Sequence, residues 1–249
     1  MVLHVESKLG LHAEIRIKSL IPLSKTHLIC ACLCANGCKE IEQGFIDGTN
    51  TRNKNDLHQE DIAYACGAVI SSVAFMESTI NEFFQNFFYT FDKLNITNSE
   101  LMDLKSEWEI NEEKFMYFKL EQKYDELAYK KILNKELDKN SKSWDDFKNL
   151  ITLRNSLVHF GAKWQTEIPK KDNPYKIIHL RKRFKQNPFV EDIDNLDFPK
   201  GILSAGCAAW SINVSTKFVT MFSKDLSDSD IGINLRTNVA KILQQYSIK

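Results

Sequence analysis

No stretch of the 249-residue chain approaches the roughly 20 consecutive apolar residues of a membrane span. The opening residues, MVLHVESKLGLHAEIRIK, hold no uninterrupted apolar region of the kind that leads a secreted chain. A soluble, cytoplasmic protein without membrane contact is the expectation. An excess of charge is missing as well: 33 basic residues stand against 33 acidic ones. That argues against a protein that coats nucleic acid generally, and leaves room for local patches. The P-loop, G-x-G-x-x-G, G-x-S-x-G and H-E-x-x-H signatures are absent, which removes the commonest kinase, dehydrogenase, hydrolase and metalloprotease readings. There is no internal repeat. What is present, 43% hydrophobic and 27% charged residues, is ordinary for a globular protein of one domain, or one domain with an appendage, around a sizeable core.

Six cysteines are enough for three disulfides, but a chain with a large core does not need them and no secretory signal supports oxidation. Four of them, Cys30, Cys32, Cys34 and Cys38, lie close to His27. Metal knuckles present paired C-x2-4-C turns, whereas alternate spacing puts Cys30, Cys32 and Cys34 on one face of a strand. Buried apolar thiols are expected there, with no metal and no cofactor, a metal site through Cys30 to Cys38 being the alternative.

Residues 1–55 alternate short apolar runs with Gly10, Pro22, Asn36-Gly37 and Gly48, and read as a small antiparallel β appendage with Asn36-Gly37 as a turn. Residues 56–249 read as a helical domain. Ile62, Cys66, Val69, Val73, Met76, Ile80, Phe83 and Phe87 follow the four-three spacing of a long core helix from about 56 to 91. Glu77 falls within its apolar face and Asn81 one turn further on. A short helix near 99–105 and another over about 112–133 follow, the charges of the latter forming a solvated face. Leu203, Cys207, Trp210, Val214, Phe218 and Met221 mark a second core helix, started by Pro199, in which Gly206 and Ala209 allow a neighbour to approach. A terminal helix covers 235–246.

Between them, residues 143–160 form a helix capped by Ser143, with Trp144, Phe147, Leu150, Ile151, Leu157 and Val158 on one face and Gly161 just past its end. Arg154 sits in the middle of that face. A guanidinium cannot shed its charge, so burying it requires a partner, and Glu77, a carboxylate with the same need, is the expected one. Asn155 and His159 share a flank, His159 in the last turn, where the helix dipole favours a cation. The residues alone leave two readings: a structural Arg with a His capping the last carbonyls, or a site. The following segment to Phe198 is rich in Lys170, Lys171, Lys176, Arg181, Lys182, Arg183 and Lys185, either a solvated surface or a track for a phosphate backbone. Tyr175 to Phe184 is expected to form a strand pair.

Arg154-Asn155-Ser156-Leu157-Val158-His159 resembles the R-x4-6-H motif of the HEPN superfamily. Glu77 and Asn81 resemble the E-x3-N element on the first long helix of some of its families. The resemblance covers about residues 56–226 and implies a mainly α, HEPN-like helical bundle. It further implies a metal-independent endoribonuclease whose active site forms across a homodimer. In that scheme His159 serves as general acid or base, Arg154 stabilises the phosphate, Asn155 orients, and the product ends in a 2′,3′-cyclic phosphate. RNA, with tRNA among the candidates, and an antitoxin or defence-system partner are the implied ligands, in a toxin–antitoxin or phage-defence setting. The alternative within the superfamily is a catalytically inactive module for dimerisation or partner binding.

Overall fold

The computed structural model describes residues 2–6, 12–16, 22–94, 97–159, 178–190, 201–226 and 230–246. It is mainly helical. Two short strands, β1 (Val2–Glu6) and β2 (His12–Arg16), pair antiparallel with Val2 opposite Arg16. The rest of the expected β region is helix: α1 spans Ser24–Ile46 and runs through Asn36 and Gly37 without a turn. It belongs to the main core, not to an appendage, because Leu28, Ala31, Cys32, Ala35 and Cys38 are buried with the residues of the long helix.

That helix, α2 (Lys54–Thr90), has 37 residues, about 55 Å of length. Asn53 caps its start, the side chain accepting from the Asn55 backbone N–H at 2.8 Å. Contrary to the expectation from sequence, it is long and apolar enough to cross a membrane by length and composition. Its packing explains the apolarity: α1 and α7 (Ala205–Asp225) both lie against it, burying Val69, Val73, Met76, Ile80, Phe83 and Phe84. Glu82 of α2 in turn caps α1, accepting from the Ser24 backbone N–H at 2.8 Å and from its hydroxyl at 2.7 Å.

α3 (Ser99–Ile110) and α4 (Glu112–Tyr117) precede α5 (Leu120–Gln122), which runs directly into a π-helix, Lys123–Ile132. This replaces the single regular helix expected over 112–133, and its charges are not all solvated: Lys123 and Asp125 are buried. Tyr124 is buried, donates to the Met76 carbonyl at 2.8 Å, and packs edge-on against Phe147, Phe218 and Phe222. α6 (Lys142–Val158) and α8 (Asp230–Gln245) complete the bundle against α7. α7 starts at the Ser204 cap, whose hydroxyl accepts from the Cys207 backbone N–H at 3.1 Å, six residues beyond the expected start at Pro199. Pro199 itself lies outside the described residues.

Burial pushes the Cys32 thiol up from 9.0 to about 11. It also raises the phenols of Tyr124 and of Tyr129, the latter donating to Asp225 at 2.6 Å. All three groups therefore lose protons more readily in the unfolded chain than in the folded one. Their contribution is fully present below the unfolded values and is lost as pH rises past them, at about 1.4 kcal/mol per pH unit for each group then titrating in the unfolded chain only. Urea unfolding from about pH 8 to about pH 11 is expected to show a steep loss of stability. A flat profile over that range would mean that these groups stay hydrated in the folded protein.

Candidate functional site at the end of α6

The start of α6 is fixed by a cap and by aromatic packing. Ser141, not Ser143, is the cap, its hydroxyl accepting from the Trp144 backbone N–H at 3.2 Å. Trp144, Phe147, Leu150, Ile151 and Leu153 are buried. Phe147 stacks on Phe218 at 4.0 Å and on Trp144 at 5.0 Å. Beyond Leu153 the burial ends. Arg154 and Leu157 are half-buried, Asn155 and His159 are exposed, and Val158 is 51% exposed. Arg154 thus does not lie in the middle of a buried face, because that face stops one residue before it.

The helix closes at Val158, and His159 is its C-cap, with φ −102° and ψ 26° and its backbone N–H on the Asn155 carbonyl at 2.9 Å. Gly161, expected just past the helix end, is outside the described residues. In a regular helix, positions 154 and 159 point about 140° apart. The φ of −102° at His159 swings its side chain by about 40° from the regular helical direction, which leaves it on a different side of the helix from Arg154.

Glu77 does not meet Arg154. Its Oε1 accepts from the ammonium of Lys123 at 3.3 Å, and Asn81 Oδ1 accepts from the same ammonium at 3.0 Å. The α2 carboxylate does pair with a cation, but the cation comes from the π-helix, and it is the buried lysine, not the partly exposed carboxylate, that requires the partner. Lys123 has no exposed surface, whereas the Glu77 side chain keeps 39% of its own. Burial holds the Lys123 ammonium below its ordinary pKa, the Glu77 carboxylate partly offsetting the shift. Lys123 was hidden in a run of alternating charges. In a regular helix it would point about 100° away from the inward-facing Tyr124; in the π-helix both are buried. Among the described residues no carboxylate bonds to Arg154, so the guanidinium stands at the half-open end of α6 beside Asn155 and His159.

Of the basic segment, Lys170, Lys171 and Lys176 and the side chain of Arg181 are outside the described residues. Ile178–Arg183 is a short 3-10 helix, not a strand. Lys182 and Lys185 are exposed. Arg183 is committed elsewhere, bridging Asp145 at 2.8 Å and Asp146 near the start of α6. It ties the segment to the motif helix instead of standing free for phosphate. The segment is also pressed onto the start of α7, where a Cβ on Gly206 would come within 2.6 Å of the Lys185 carbonyl oxygen and 2.9 Å of its nitrogen. Backbone cannot swing aside as a side chain does. Gly206→Ala is therefore expected to destabilise the protein by about 1–3 kcal/mol despite a helix-propensity gain near 1 kcal/mol, read by urea unfolding. A stabilised variant would show that the contact relaxes freely.

A helical bundle in which a core-anchored helix ends in a half-buried Arg and an exposed His five residues apart, with a Glu and an Asn on the long partner helix, defines a HEPN-type domain. The family model for Cthe2314-like HEPN matches residues 71–203, a little over half of the chain, and the chain belongs to that family. The match spans the motif helix together with Glu77, Asn81 and Lys123. No curated protein and no solved structure matches the chain.

Proposed function

We propose that this HEPN protein is a metal-independent endoribonuclease of the toxin or phage-defence type, acting in the cytoplasm as a homodimer. The observation that carries the reading is the end of α6, where Arg154, Asn155 and His159 follow one another where burial ends, none of them bonded to a described carboxylate. Cleaving RNA without a metal needs a base for the 2′-hydroxyl proton, an acid for the leaving 5′-oxygen, and positive charge on the pentacoordinate phosphorus. One His159 supplies one proton transfer. Two α6 ends brought together by a twofold axis supply both, and two Arg154 guanidinia with them. Val158, apolar and half uncovered beside the pair, suits such an interface. Asn155 orients the imidazole or the scissile group, while Glu77 and Asn81 act from behind by holding Lys123 and the π-helix in place. Exposed Lys182 and Lys185 give the strand a basic approach, and a defence-system or antitoxin partner would restrain the site until needed.

The test is incubation of the purified protein with total tRNA and with a single-stranded RNA in EDTA, scoring cleavage, the end group formed, and the dimer by sedimentation. Cyclic phosphate ends from a dimer support the reading. A protein that cuts no RNA offered is instead a catalytically silent HEPN module for dimerisation or partner binding.

A further inference from the structure

Away from the end of α6, the tight packing of α1 on α2 encloses a second constellation. Cys38 and Glu42 are one turn apart on α1 and face Asp61 of α2. Cys38 and Asp61 have no exposed surface and Glu42 only 6%. One ligand atom from each lies within 4.8 Å of the other two, Cys38 Sγ and Asp61 Oδ1 at 2.8 Å. Each carboxylate is steadied by a neutral donor. The Ala205 backbone N–H donates to Glu42 Oε1 at 2.7 Å, and the Asn187 side-chain amide donates to Asp61 Oδ2 at 2.6 Å. Asn187 is itself fixed, its amide also reaching the Leu203 carbonyl and its oxygen accepting from the Phe189 N–H.

Among the described residues, none of the ion pairs to a lysine or arginine reaches Glu42 or Asp61, and Ala205 is the one donor to Glu42. Buried anions are paired with cations or coordinate metals. The Lys185 charge acts on Glu42 from beyond ion-pair contact, so two carboxyls and a thiol converge with no lysine or arginine bonded to them among the described residues, a donor set suited to a cation.

We propose that Cys38, Glu42 and Asp61 form a buried site for a zinc-class divalent ion that clamps α1 and α2 together with the 178–190 segment and the start of α7. The donor chemistry sets the class, because a thiolate beside carboxylates favours zinc and similar transition ions over magnesium or calcium. Two donors on one tetrahedral zinc, at about 2.0–2.3 Å each, lie about 3.3–3.8 Å apart. The three donor atoms, within 4.8 Å of one another, draw in around the ion, and the Cys38–Asp61 pair opens from its 2.8 Å contact. Hydrogen bonds from Ala205 and Asn187 hold the two carboxylates from outside, as supporting partners of metal ligands do. Binding releases the protons that thiol and carboxyls hold without the ion, the metal taking their place.

The test reads metal content, and its outcome is separate from that of the RNA-cleavage assay once that assay is run both with and without EDTA, since a chelator strips a structural ion. Full-length protein purified without chelator is assayed for zinc by mass spectrometry, then stripped and titrated with Co²⁺ alone. Near-stoichiometric zinc, a thiolate-to-cobalt charge-transfer band, and a rise in Tm on reloading with Zn²⁺ are expected. Asp61→Asn, close in shape and checked for folding by circular dichroism, should lose the band and the Tm rise, as should Cys38→Ser. Cys30→Ser, at an exposed thiol of the same helix, should keep both. Wild-type protein without zinc that gives no cobalt band overturns the proposal, and so does a folded Asp61→Asn that binds Co²⁺ as well as wild type.

Discussion

His159→Ala is expected to lower RNA cleavage by about 10²–10⁴-fold, the usual contribution of a positioned acid or base, while leaving the unfolding free energy within about 0.5 kcal/mol of wild type. The side chain is exposed at the helix cap, and among the described residues its only hydrogen bond is made by the backbone, which alanine retains. Nothing that holds the fold is removed with the imidazole. Arg154→Ala is expected to cost about 10²–10³-fold, as for one donor to a developing anion, with a small loss of stability from its half-buried stem. Arg154→Lys should fall between, because an ammonium keeps the charge but not the planar fork that grips two phosphate oxygens. Single-turnover cleavage of one defined RNA in EDTA, alongside urea unfolding of each variant, separates chemistry from folding. Undiminished cleavage by folded His159→Ala would remove His159 from the chemistry.

How much of this was legible in the sequence depended on what each helix uses for its apolar face. α2 and α7 spell theirs with Val, Ile, Met and Phe at helical spacing, and Val69, Val73, Met76, Ile80, Phe83 and Phe218 are buried as that spacing requires. α1 uses Ala31, Cys32, Ala35 and Cys38, small side chains that weigh little in a hydrophobic pattern. The alternation of Cys30, Cys32 and Cys34 then imitates a strand, and Asn36-Gly37 imitates its turn. The small residues have a reason that only the packed pair reveals. Cys34 Sγ would lie 2.9 Å from a Cβ on Gly67, and the Tyr64 ring equally close to one on Gly37, so the two helices approach too tightly for larger side chains. The family motif placed Arg154 and His159 on one helix, but their exposure follows from where α6 outruns its cover. The partner of Glu77 followed from a π-helix that no spacing rule anticipates.

That partner makes an asymmetric prediction. Glu77→Ala should destabilise the protein by about 2–3 kcal/mol, and Lys123→Met by no more than about 1 kcal/mol, although both delete the same ion pair. The two ends differ in access to water: Lys123 is wholly buried, while the Glu77 side chain keeps 39% of its surface. Removing Glu77 leaves a buried ammonium with only the Asn81 oxygen at 3.0 Å. Its cost is set below the figure for a fully buried pair because solvent already reaches the position of the carboxylate. Removing Lys123 in favour of Met fills the space with apolar atoms and leaves a carboxylate that water can hydrate. The pH response should differ too. A lysine whose folded pKa lies below its unfolded value binds fewer protons when folded, so stability rises with pH between the two values. Losing Glu77 takes away the charge that offsets burial, lowering the folded value further and widening that window below 10.5. Urea unfolding at about pH 7 and about pH 9 should therefore show Glu77→Ala recovering part of its loss at the higher pH and Lys123→Met recovering none. Were Lys123→Met the more damaging of the two at both pH values, the ammonium would be a net source of stability, and the burial cost assigned to it would have to be abandoned.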